Sequence, residues 1–191
     1  VLYDVALHRL PVMFCLDRAG ITGPDGASHH GLSDMALLSK VPGMRVLAPS
    51  SAQELHQMLD DAATLADSGP VAIRYPRGSA RQVDESEVGG GLEARRARRG
   101  DHVCMLAVGR MLEFALRAAD ELAADGIEAT VWDARSCVPL DPAMIADAAD
   151  HAAVITIEDG IREGGFGMRM VDALGAIDPA VPVEVLGAPP R

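Results

Sequence analysis

Aromatic side chains are scarce: three Phe, two Tyr and one Trp make up 3% of the 191 residues. Ala, Val, Leu and Met must therefore fill the core, and 49% of residues are hydrophobic. An alanine-rich interior favours helices. Cysteine is also sparse. Cys15, Cys104 and Cys137 are odd in number, widely spaced and without a CxxC pair, so neither a disulfide framework nor a zinc site is indicated. Each lies in or beside an apolar run, and free buried thiols in a reducing cytoplasm are the expectation. No stretch reaches the ~18 consecutive apolar residues of a membrane span. Positive charge is in deficit, with 17 Lys and Arg against 28 Asp and Glu and a formal net charge of −11. Such a surface repels phosphate backbones and argues against a nucleic-acid partner. The basic run Arg95-Arg-Ala-Arg-Arg99 lies between two apolar segments and reads as a solvated link or strand. An initiator Met and a secretory leader pattern are also lacking. The opening Val1-Leu-Tyr-Asp-Val-Ala-Leu has the spacing of a helix end, and the expectation is a segment of a longer chain.

What is present is an alternation of strands and helices. Residues 12–16 form an apolar run without alternation, expected to be a strand buried on both faces. A short helix at 32–38 and strands at 44–48 and 71–75 follow. Between those strands, Ser51 and Glu54 have capping-box spacing ahead of a helix with Leu55, Met58, Leu59 and Ala62 on one face. Residues 79–91 are polar and acidic and end in three glycines, the pattern of a linker. Beyond it come strands at 103–108, 129–133, 152–157 and 181–186. Helices over 112–122, from Asp141-Pro142 onward, and after Gly167 separate them. The fold class is α/β: two three-layer α/β/α units with mostly parallel sheets, 1–86 and 87–191.

Three places could carry chemistry. Arg18 follows the first strand, and Arg74 and Arg77 accompany the third. Loops after parallel strands share one sheet edge, and two converging guanidinium groups make a phosphate or carboxylate clamp. The plain alternative pairs Arg18 with Asp17 and leaves Arg77 as a loop cap. Second, Asp25 lies near His29 and His30, and an imidazole near a carboxylate suits general acid–base work. Adjacent histidines without HExxH spacing point away from a metal, and the absence of GxSxG points away from a serine hydrolase. A surface loop with a capping histidine is the alternative. Third, Glu158 precedes Gly164, Gly165 and Gly167 before a helix. The spacing is not GxGxxG and no Walker lysine follows, which leaves an anion at a helix N-terminus or, preferably, a structural loop or subunit contact.

The run Phe14-Cys-Leu-Asp-Arg-Ala-Gly-Ile-Thr-Gly-Pro-Asp-Gly-Ala-Ser-His29 resembles the 1-deoxy-D-xylulose-5-phosphate synthase family. Ala72-Ile-Arg-Tyr-Pro-Arg-Gly78 resembles a later motif of the same family. Thr156-Ile-Glu-Asp followed by Gly-Gly-Phe-Gly167 is similar to the C-terminal domain of the wider transketolase superfamily. The resemblance implies a thiamine diphosphate and Mg2+ enzyme that joins decarboxylated pyruvate to glyceraldehyde 3-phosphate, the entry to non-mevalonate isoprenoid synthesis. It implies a cytoplasmic homodimer, with 1–86 as the latter part of a pyrimidine-binding domain and 87–191 as most of the C-terminal domain. Asp25 and His29 match active-site positions, His29 for proton transfer or for hydrogen bonding the pyruvate-derived adduct. Arg18 and Arg77 match positions that hold the acceptor phosphate, and Arg74 is the weaker, structural match. The family's activating glutamate and metal ligands fall before Val1, so no cofactor or metal ligand is assigned within this segment. This chain by itself is expected to be inactive. The β subunit of a 2-oxoacid dehydrogenase and a non-catalytic assembly module are the alternative readings.

Overall fold

The computed structural model describes residues 1–189. It begins with a π-helical turn, Leu2–Ala6, and then two α/β units follow. The first unit contains β1 (Met13–Leu16), α1 (Asp34–Leu38), β2 (Arg45–Leu47), α2 (Ala52–Leu65) and β3 (Val71–Arg74). The second contains β4 (Arg95–Arg98), β5 (Val103–Ala107), α3 (Met111–Ala124), β6 (Ala129–Asp133), β7 (Ser136–Val138), α4 (Pro142–Ala149), β8 (Ala153–Ile161), α5 (Phe166–Gly175) and β9 (Val183–Ala188). Their sheets run β1-β3-β2-β7 and β4-β6-β5-β8-β9. All neighbours are parallel except β2–β7 and β4–β6.

Strand order decides burial here. β3 lies between β1 and β2 and all four of its residues are buried. Among the described residues β1 pairs with β3 alone, and none of its residues is fully buried, where a strand buried on both faces was expected. Within this chain Cys15 is exposed, against the expectation of three buried thiols, whereas Cys104 and Cys137 are buried. Burial pushes the Cys104 thiol up to about 12 and shifts Cys137 upward as well. Both are unreactive packing groups.

The units do not hang on a free tether. One core cluster takes Met35, Val46 and Ala72 from the first unit and Leu106, Trp132, Phe166 and Met170 from the second. β7, a strand the periodicity does not announce, adds to the first sheet from within the second unit. The segment after β3 straps back across α2. Gly89 N–H donates to Glu54 Oε1 at 2.6 Å, and Gly91 N–H donates to Asp61 Oδ2 at 2.7 Å.

Local capping works as the residues foretell, with one exception. Ser51 Oγ accepts from Glu54 N–H at 3.0 Å, and Asp141 accepts from Ala143 and Met144 N–H ahead of Pro142. Glu54 does not complete a capping box. Its carboxylate accepts from Arg135 Nε at 2.8 Å instead, and both side chains are fully buried. Arg135 has φ +53°, donates through Nη1 to the carbonyls of Gly90 and Glu93, and its own carbonyl accepts from Ala48 N–H at 2.8 Å. One buried cation thus ties α2, the strap and the β6–β7 turn together.

Candidate functional site

The loop over 17–31 leaves the carboxyl end of β1. Its neck is closed by Gly20 N–H to the Gly31 carbonyl at 2.9 Å and the reverse bond at 3.0 Å. Gly20 has φ +73°, and a Cβ there would meet the Asp159 carboxylate at 2.5 Å. A Cβ on Gly31 would fall 2.2 Å from the Arg18 carbonyl oxygen. Glycine is required at both positions by close approach. Ala19 N–H donates to the Tyr75 carbonyl at 3.0 Å, which fastens the neck to the segment after β3.

That segment carries Arg77. Leu16 and Arg74 are register partners in the parallel β1–β3 pair, so the two chains emerge side by side. Arg77 Nη1 donates to Asp25 Oδ1, and Arg18 Nε lies 3.7 Å from Asp25 Oδ2. Asp25 therefore bridges the two arginines. Arg18 also donates to Asp17 at 3.2 Å, the local pairing weighed above. The arginine side chains remain 46% and 50% exposed, and Asp25 is 23% exposed. A guanidinium has five N–H donors, so each keeps donors free for an external anion.

The histidines fare differently. His29 is exposed at the loop surface, where its Nδ1 lies 3.2 Å from Ser28 Oγ. No bond joins it to Asp25 among the described residues. His30 Nδ1 accepts from Thr22 N–H at 3.2 Å and lies 3.0 Å from its hydroxyl, so it braces the loop from within.

Arg74 is buried beneath this surface. It donates through Nε to Asp34 at 2.9 Å and through Nη1 to Asp159. Burial opposes its charge, but Asp159 and Asp34 outweigh that and hold the guanidinium more firmly protonated. Asp34 starts α1 and Asp159 lies on β8, so Arg74 clamps the two units directly below the loop neck. Residue type did not reveal this role, because the partners are 40 and 85 positions away.

The N-terminus of α5 is already filled. Glu158 accepts from Phe166 N–H at 3.0 Å and from Gly167 N–H at 2.8 Å. An external anion there, one of the openings left above, is thereby excluded, and the glycine-rich segment is structural. A Cβ on Gly165 would fall 2.3 Å from Glu158 Oε2. Burial pushes the Glu158 carboxyl up to about 7, against the lowering by those two N–H groups and by Arg74. Asp133 is likewise raised to about 7 by burial, although Ser50 donates to it at 2.6 Å.

Both carboxyls have ordinary values of 4.5 and 3.8, so the folded chain holds the extra protons between there and about pH 7. Stability contributed by these groups falls as pH rises through that window. Thermal melts are expected to show a lower midpoint at pH 8 than at pH 5. The corresponding difference in unfolding free energy should shrink in Glu158→Gln by on the order of 1–3 kcal/mol. An unchanged pH slope in the variant would refute the raised carboxyl.

Comparison with known proteins agrees with this architecture. The family model for the transketolase pyrimidine-binding domain matches residues 1–82, and that for the transketolase C-terminal domain matches residues 92–191. Curated relatives named 1-deoxy-D-xylulose-5-phosphate synthase align over the whole chain, at 41% identity in Magnetococcus marinus and 44% in a Parafrankia species. The chain spans 31% and 30% of their lengths. A solved structure described as a split-gene transketolase in an inactive β4 tetramer superposes with a TM-score of 0.88 at 29% identity, over 99% of this chain and 61% of that one. A transketolase variant from Pichia stipitis shares the fold, with a TM-score of 0.67 at 17% identity over 80% of this chain and 24% of its own. Through its pyrimidine-binding and C-terminal regions, and a full-length alignment with proteins named 1-deoxy-D-xylulose-5-phosphate synthase, the chain belongs to the transketolase family.

Proposed function

We propose that this chain forms one wall of the active site of a thiamine diphosphate-dependent transferase of the 1-deoxy-D-xylulose-5-phosphate synthase type. Its reaction joins the two-carbon remainder of decarboxylated pyruvate to glyceraldehyde 3-phosphate. The parent enzyme works as a homodimer in the cytoplasm, with residues 1–86 and 87–191 as its pyrimidine-binding and C-terminal portions. The observation that carries the reading is Asp25 bridging Arg18 and Arg77 at the edge of a parallel sheet. Asp25 holds two cations close that would otherwise repel, while their free N–H donors take the acceptor phosphate. His29 exchanges a proton with the reacting oxygen, a task its exposed place on the same loop suits.

Bound thiamine diphosphate would supply the electron sink that a decarboxylation needs. This chain's own residues do not fit Mg2+. Among the described residues one cluster, Cys104, Asp147 and His151, could gather around an ion. Its carboxylate already accepts from Arg96 at 2.8 Å and from Trp132 Nε1 at 2.7 Å. Both nitrogens of its imidazole are engaged as well. The chain thus contributes the substrate side of the site, where its residues bind, orient and exchange protons.

A chimera tests this. The chain replaces the matching segment of the Magnetococcus marinus synthase, and steady-state kinetics are measured with each substrate varied. Arg77→Ala is expected to raise KM for glyceraldehyde 3-phosphate about 10- to 100-fold, the loss of a charge-assisted contact. KM for pyruvate should barely move. Equal changes in both constants would sink the phosphate assignment.

A further inference from the structure

A second feature lies on the other side of Arg77. A cleft of about 520 Å³ opens where the start of α2 and the segment after β3 meet the start of α3. Three guanidinium groups line it, from Arg77, Arg81 and Arg110, against one carboxylate, Glu113. Arg77 is paired with Asp25 and Arg81 with Glu87, each with further donors to offer. Arg110 is exposed immediately before α3 and has no ion-pair partner among the described residues. Arg81 donates through Nη2 to Glu87 at 3.1 Å, but its Nη1 is buried with no acceptor.

The remaining lining narrows the ligand. The hydroxyl of Ser50 donates to Asp133, and Ser51 Oγ caps α2, which leaves Ser79 as the serine free to add a hydrogen bond. Leu55, Tyr75 and Pro49 supply an apolar wall. The volume falls in the ordinary range for organic ligands and far exceeds an inorganic ion. We infer that this cleft binds a small organic phosphate, its anionic group held by Arg81 and Arg110 beside Arg77 and its organic part laid on Leu55 and Tyr75. This cleft shares Arg77 with the proposed acceptor clamp but extends away from it, because Arg18 and Asp25 do not line it.

Isothermal titration of the chain with phenyl phosphate and with inorganic phosphate tests the inference. Phenyl phosphate should bind, and inorganic phosphate should bind more weakly. Combining Arg81→Gln with Arg110→Gln should weaken phenyl phosphate binding by about tenfold or more, the loss of two charge-assisted contacts. Arg110→Glu, an exposed substitution that leaves the fold intact, should also weaken it. Arg18→Gln should leave the part of the binding that depends on Arg81 and Arg110 in place, and this arm distinguishes the cleft from the acceptor clamp. Absence of binding overturns the inference. So does equal affinity for the two probes, or a loss on Arg18→Gln matching that of the double variant.

Discussion

Arg135→Ala should remove about 3–5 kcal/mol of folding stability, the cost of stranding one member of a buried ion pair. Glu54 would remain fully buried, with only the Gly89 N–H donating to its carboxylate. The carbonyls of Gly90 and Glu93 would lose their donor as well. Domains of this kind have roughly 5–15 kcal/mol in total, so the loss is a large share. Urea unfolding of the chain and variant measures it. A change below about 1 kcal/mol would show that the pair contributes no more than a surface contact. Pairing Arg135→Met with Glu54→Leu should recover part of the loss, because an apolar pair leaves no charge stranded. If the double variant is as unstable as the sum of the single ones, desolvation of a lone carboxylate is not the cause.

Arg74→Leu is expected to be comparably costly, about 3–5 kcal/mol at neutral pH. It leaves Asp34 and Asp159 with no cation between them. Urea unfolding of the chain and variant reads this directly, and a loss below about 1 kcal/mol would refute the electrostatic account. The substitution also reaches the loop. Asp159 packs beneath Gly20, whose bonds with Gly31 close the neck. Hydrogen exchange at the amides of Gly20 and Gly31 should accelerate in the variant. Unchanged protection there would mean that the neck is held independently of Arg74.

The two variants separate two kinds of connection between the units. Arg135 joins them through the strap and α2, at the edge of the cleft lined by Arg81 and Arg110. Arg74 joins them beneath the loop that carries Arg18, Asp25 and His29. The core cluster that draws Val46, Leu106 and Phe166 together makes these polar clamps necessary as well as possible, because it removes them from water.

Much of this was readable in residue order, for local reasons. Capping depends on side chains within a few positions, so Ser51 and Asp141-Pro142 marked the starts of α2 and α4. Apolar periodicity reports one face of a helix, so Leu112, Ala115 and Ala119 announced α3. The placement of Arg18 and Arg77 on one sheet edge followed from strand alternation, because loops after parallel strands share one edge. The family's motifs added roles for Asp25 and His29 that spacing alone left open.

What residue order could not supply was partnership across distance. Glu54 has the spacing of a capping box, yet it turns away to Arg135, 81 positions later. β7 is too short for a periodic signal, and it exists because β2 offers it an edge. The apolar run of β1 cannot say whether neighbours cover it. By itself the sequence determined the alternation of elements, their caps and the inventory of charged groups, since each rests on interactions spanning a few residues. Only the tertiary structure decided that β3 lies between β1 and β2, which carboxylates Arg74 holds in its structural role, and that Asp25 spans two arginines. Strand order is set by the closure of whole sheets, and those contacts form only once distant segments are packed together.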